Sequence, residues 1–214
     1  MKKLILKPYQ VLNAEGQPES AIKYFQGQPL IIRFNGQSGR FTRDGQDDLG
    51  DSLTITVIAW RFFRGELFGR APAEYAELFY VDKNRNLCVV MFTNASAQNL
   101  RKFMANLSYS AFSGAVQTML NTVIRIDARP RTRKDAGRYN VAEFTNCGPA
   151  DIRATTAFLL FCQDHKVYRA DTRTVEIEDV LWSATYFTMI GLGVKRDGAK
   201  NEEEQQQIQK QYNS

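Results

Sequence analysis

Thr54, Ile55, Thr56, Val57 and Ile58 follow one another without interruption, and all are β-branched. Such side chains lose χ1 freedom in a helix and pack well on a pleated surface. The stretch from Leu53 to Phe63 is therefore read as a long strand, and its neighbours fit a sheet around it. Leu30 to Phe34 is a short apolar run closed by Asn35-Gly36, a pair that tolerates positive φ and signals a hairpin, with Arg40 to Thr42 as the return strand. Ala76 to Val81 and Leu87 to Thr93 flank the polar turn Asp82 to Asn86 and form a second hairpin. Ser96 reads as a helix N-cap, because Leu100, Phe103, Met104 and Leu107 follow at helical spacing. Residues 111–120 fit helix or strand equally.

The segment from Thr122 to Thr145 alternates. Val123, Arg125, Asp127 and Arg129 share one face, while Ile124, Ile126 and Ala128 share the other. A turn at 134–137 makes this a long β-hairpin with a basic tip. Cys147-Gly148-Pro149 then breaks the chain. Asp151 caps a helix whose apolar side carries Ile152, Thr155, Thr156, Leu159 and Leu160. Residues 180–192 pack back as helix or strand. The expected fold is mainly β with a few helices. It is an OB-like five-stranded barrel with N-terminal strand additions, a helix between its third and fourth strands and a C-terminal helical extension; an open β-sandwich also fits. The chain divides into an irregular lead-in (1–29), the OB-like domain (30–165), an extension packing on the core (166–195) and a polar tail (196–214).

Charge is concentrated. Lys and Arg number 28 against 23 Asp and Glu, a net charge of +5. Residues 121–140 hold six basic and two acidic side chains, so +4 of that lies in this stretch alone. A one-signed patch attracts polyanions and speeds their encounter. The three cysteines are scattered, which suits reduced thiols in a cytoplasmic setting. The single histidine, His165, leaves no zinc ligand set, and no nucleotide-binding glycine loop or nucleophile elbow occurs. The apolar run Leu4 to Leu6 is too short for a signal peptide, and no stretch is long enough to span a bilayer. The expectation is a non-enzymatic chain with no cofactor, no metal and no membrane partner.

Two constellations carry the candidate site. The first is the hairpin, with Arg125, Arg129, Arg131, Arg133, Lys134, Arg138 and Tyr139. Arginine offers phosphate a charged fork and bases a flat face. The second is the run from Trp60 to Phe68. By alternation Trp60 and Phe62 face the core, while Arg61, Phe63 and Arg64 are assigned to an open ligand face. Phe63 and Tyr139 are the rings expected to stack bases, with Trp60 as a third if the register turns it outward.

Ile32 to Phe41 followed by Leu53 to Trp60, together with the return strand Arg138 to Phe144, resembles bacteriophage and mobile-element single-stranded-DNA-binding proteins over roughly residues 30 to 165. The resemblance implies an OB fold that coats single strands in a bacterial host during replication and recombination. RNA, replication proteins and further copies of the chain are additional partners consistent with it. The acidic tail that recruits replication partners in such proteins is not matched here, because Lys200 and Lys210 balance Glu202, Glu203 and Glu204. Two other readings stand beside this one: a phage virion or assembly component that docks an acidic partner through the basic hairpin, and a magnesium nuclease using Asp47 or Glu178.

Overall fold

Strand-forming sequence dominates the computed structural model, which describes residues 5–111, 118–133, 137–173 and 176–191. Two short strands, β1 (Gln10–Leu12) and β2 (Pro18–Ser20), pair with each other in the lead-in. The main sheet contains β3 (Leu30–Asn35), β4 (Arg40–Arg43), β5 (Asp47–Gly50), β6 (Ser52–Gly65), β7 (Ala73–Val81), β8 (Leu87–Thr93), β9 (Thr122–Arg133), β10 (Gly137–Pro149) and β11 (Ile177–Trp182). Its order is β10-β9-β6-β7-β8-β3-β4-β5, with β11 added to β6. The expected five strands are thus nine, because β3, β4 and β5 continue the sheet through a parallel β3–β8 pairing and the C-terminal extension contributes β11. The tail (196–214) lies outside the described residues.

The sheet is curled into a half-barrel. The 14-residue β6 can be this long because it serves two neighbourhoods, with its first half paired to β9 and its second to β7 and β11. At the open side, the edge of β10 returns to the β3–β4 turn. The Asn140 N–H donates to the Gly36 carbonyl at 2.6 Å, and Asn140 Nδ2 donates to the Gln37 carbonyl at 3.1 Å. Gly39 is required there: its φ is +70°, and a Cβ would lie 2.9 Å from Asn140 Cγ. The hairpin between β3 and β4 consequently turns through a longer loop, with its positive φ at Gly39 instead of at Asn35-Gly36.

Helix α1 (Asn94–Ala111) lies against the concave side with Leu100 and Leu107 buried. Ile55, Val57, Phe62, Leu78, Val90, Ile124 and Ile126 join them in one core. Ser96 does not cap this helix. The helix starts two residues earlier, and the Ser96 hydroxyl accepts the Ala142 N–H of β10 at 3.0 Å.

The convex side is covered too. Helix α2 (Ile152–Asp164), the short turns α3 (Ala170–Arg173) and α4 (Ala184–Met189), and the lead-in pack there. Asp151 caps α2 by accepting the Arg153 N–H. The buried stripe of α2 is Thr155, Ala157, Phe158, Phe161 and Cys162, while Ile152 is exposed. The larger Phe158 and Phe161 outweigh Ile152 and Leu159 in choosing the face.

Candidate functional site

The basic hairpin sorts its side chains by register. Tyr139 pairs with Arg131, Val141 with Arg129 and Glu143 with Asp127, so Arg125, Asp127, Arg129, Arg131, Arg133, Tyr139 and Glu143 belong to one face. Ile124 and Ile126 of the other face lie in the core. Acids temper the ladder. Arg125 Nε donates to Asp127 at 2.9 Å, Arg131 is bonded to Glu143, and Arg129 reaches Asp127 at 3.8 Å and Glu143 at 3.9 Å. Glu143 lies across the ladder from the arginines and outside the twenty-residue charge window, so the sequence overstated the positive excess at this face. Arg138 is exposed on the opposite face, and Lys134 lies outside the described residues.

A groove of about 940 Å³ opens where β7 begins and β8 ends. Three chain segments make its walls. The β6–β7 loop supplies Phe68, Arg70 and Ala71; β3 supplies Arg33 and Phe34; the hairpin supplies Arg133, Tyr139 and Asn140. Tyr75, Met91 and Phe92 lie between them, and Arg169 of the C-terminal extension joins the lining. Arg33 and Arg70 are exposed and carry no ion pair within the described residues. Cations and rings of distant sequence origin thus line a single channel.

Of the residues assigned to a ligand site, Arg133 and Tyr139 line this groove. Arg61 and Phe63 do not lie on an open face. Their alternation with Trp60 and Phe62 is as expected, but the convex side is covered, leaving Arg61 1 % and Phe63 0 % exposed. The Arg61 guanidinium donates to Glu77 at 2.8 Å and to Thr172 at 2.9 Å, and it stacks over the Phe63 ring at 4.2 Å. A buried cation must be paired, and Glu77 supplies the charge. Trp60 is half-buried, packs against the concave core and meets Phe62 edge to face at 5.9 Å. Arg64 is exposed, opposite Glu74 of β7 and Glu178 of β11, and lies outside the groove. Tyr80 of β7 and Phe92 of β8 are buried as well.

Arg33, Arg70 and Arg169 escaped the sequence reading, and Phe68, the last residue of the run from Trp60, was assigned to neither face there. One signal was available for Arg33, a cation set between Ile32 and Phe34 in a strand and hence turned outward. Arg169 gave none, because it reaches the groove only through the packing of the C-terminal extension.

A second hollow of about 460 Å³ lies between β4, β6 and α2. It mixes Arg43 and Lys83 with Asp82 and Asp151, so it has no single sign to select a polyanion. Among the described residues no group of three histidine, cysteine or acidic side chains is placed to hold a metal ion, and no helix is long and apolar enough to cross a membrane. Comparison with family models, with curated proteins and with solved structures finds no match to this chain.

Proposed function

We propose that this chain binds single-stranded DNA, tolerant of sequence, through the groove between the β6–β7 loop and the β9–β10 hairpin. The observation that carries the reading is the convergence of Arg33, Arg70 and Arg133 with Tyr139 along one open channel. Arginines that track a backbone, combined with rings that stack bases, are the working parts of single-strand binders.

The connectivity supports an OB reading. Strands β6, β7 and β8 form a meander, α1 follows, and the β9–β10 hairpin returns to pair with β6. That is five strands with a helix between the third and fourth. In OB folds, oligonucleotides lie on the second and third strands, flanked by the loops after the first and fourth strands. Here those elements are β7, β8, the β6–β7 loop and the hairpin tip, and all of them contribute to the groove or flank it. A place in phage or mobile-element replication and recombination, inside a bacterial cytoplasm, follows from the same resemblance. Arg125, Arg129, Arg131 and Arg138 extend the positive field beyond the groove, and Arg64 adds to it more distantly.

The test is fluorescence anisotropy with a labelled dT oligomer and a duplex of equal length at two salt concentrations. The expected result is tighter binding to the single strand and affinity that falls steeply with salt. Equal affinity for both, or none for either, overturns the proposal; absence of binding to both directs attention to an acidic protein partner for the hairpin.

A further inference from the structure

We propose that Phe68, seated over Arg169, is a base-stacking platform in the wall of the groove formed by the β6–β7 loop. The inference rests on the single-strand reading above and adds to it a residue and a ligand moiety, the face of a nucleobase. Phe68 is 62 % exposed, whereas Phe41, Phe62, Phe63 and Phe79 are each 0 % exposed; Phe25 and Tyr109 are exposed as well, but of these three rings Phe68 alone lines the groove. Its backbone is left-handed, with φ +59°, a conformation that costs a bulky residue energy and that glycine adopts freely. The next residue is a glycine at φ +66°. A chain selected for stability alone would carry a small polar residue or a second glycine at this turn. An aromatic side chain held there, strained and in solvent, points to a ligand.

What lies beneath the ring supports the same conclusion. The Arg169 guanidinium carbon is 5.9 Å from the Phe68 centroid, within reach of a cation–π contact. Arg169 is itself 4 % exposed and fixed, with NH2 donating to Asp171 at 2.7 Å and NH1 lying 3.6 Å from Glu77. One side of the ring therefore faces a cation that is anchored, and much of its surface remains open. Arg70, two residues on, lines the same groove and is placed to take a phosphate beside a stacked base. Arg169 is a positioning residue in this scheme: it acts through Phe68.

The experiment uses the full chain with Phe68→Ala, Phe68→Gly and Phe68→Trp, titrated with a labelled dT oligomer. Stacking on one ring sets the expected loss for Ala and Gly at roughly 5- to 100-fold in Kd, with the salt slope unchanged because no charge is removed. The Gly variant melts no lower than the parent, since it relieves the left-handed backbone, so its weaker binding cannot come from misfolding. The Trp variant restores affinity, and its added emission is quenched by the oligomer. Arg169→Met weakens binding in the parent but adds nothing to the loss in Phe68→Ala, although it lowers Tm in both. If the parent binds and Phe68→Ala binds as tightly, the inference falls while the proposed function stands. If the parent does not bind, both fall.

Discussion

Arg61 of β6 and Glu77 of β7 face each other across the sheet with NH2 and Oε2 2.8 Å apart, and the side chains are 2 % and 0 % exposed. Arg169 approaches the other carboxylate oxygen, Oε1, at 3.6 Å, so one buried acid joins the main sheet to the C-terminal extension. Removing one member of such a set strands the others without compensation. Glu77→Gln should cost about 3–5 kcal/mol in urea unfolding. A double change of Arg61 and Glu77 to apolar residues of similar volume should cost less than Glu77→Gln alone. If Glu77→Gln unfolds at the parental urea midpoint, the pair does not hold the extension in place.

Two side chains of α1 satisfy the free edge of β10. The Ala142 N–H donates to Ser96 Oγ at 3.0 Å, and Asn99 Nδ2 donates to the Ala142 carbonyl at 2.9 Å. Ala142 is fully buried, so neither backbone group has water as an alternative. Ser96→Ala should destabilise by about 1–3 kcal/mol, the cost of an orphaned buried donor. Asn99→Ala should do the same for the acceptor, and hydrogen exchange at the Ala142 amide should quicken in Ser96→Ala.

These two contacts show where sequence reading ends. The alternation in β6 and in the hairpin was legible because period-two patterning is local, and it set Ile124 and Ile126 correctly against Arg125. The parity of Arg61 and Phe63 was legible as well. Their burial was not, because it depends on the C-terminal extension, where Thr172 and Tyr186 meet Arg61 and Ile177 packs beside Phe63. The same non-local packing carries Arg169 to the groove. Ser96 had the chemistry of a cap but was drawn to β10, a partner that only the curled sheet brings near. The groove was legible in part, through Arg133 and Tyr139, since a hairpin tip rich in arginine is visible locally. The β3 and β6–β7 walls depend on sheet order, which one sequence does not specify.

The arginines of the groove and of the outer hairpin should differ in their salt response. Arg33 and Arg70 have no carboxylate partner among the described residues, whereas Arg131 is paired with Glu143. Each phosphate contact on a single strand adds about 0.7 to the salt slope. Arg33→Ala with Arg70→Ala should lower the slope of log K against log salt by about 1.4. Arg131→Ala should change it less, because the protein already neutralises that charge. Equal changes for both would mean that the strand runs along the outer hairpin instead.

Burial separates the thiols. Cys88 and Cys162 are buried, and loss of solvation pushes both thiols up to about 12, which withholds the reactive thiolate at neutral pH. Cys147 is exposed in β10. A disulfide reagent should therefore modify one thiol rapidly in the native protein and all three only after unfolding. Rapid modification of two would show that one of the two cores opens on its own.

Acid should weaken the junction of the lead-in with α2. Asp164 accepts from Lys7 Nζ at 2.7 Å and from the Tyr9 hydroxyl at 2.5 Å. The hydrogen bond from Lys7, then that from Tyr9, holds the Asp164 carboxyl below its ordinary value. A depressed folded pKa binds fewer protons than the unfolded chain, so its contribution is complete above the unfolded value near 4 and drains away as pH falls through the folded one. The partner runs the other way. Burial, then the hydrogen bond to Asp164, pushes the Tyr9 hydroxyl up to about 12, so its contribution is present below the unfolded value near 10 and is lost as pH rises toward 12. Asp164→Asn should flatten both limbs of the stability–pH curve, the acid limb by removing the carboxylate and the alkaline limb by removing the charge beside Tyr9. Urea midpoints measured across the acid and alkaline ranges read this directly. If the variant keeps the parental profile at both ends, the Lys7–Asp164–Tyr9 contact does not form in solution, and the lead-in is held to α2 by packing, with Tyr9 and Tyr24 against Phe161.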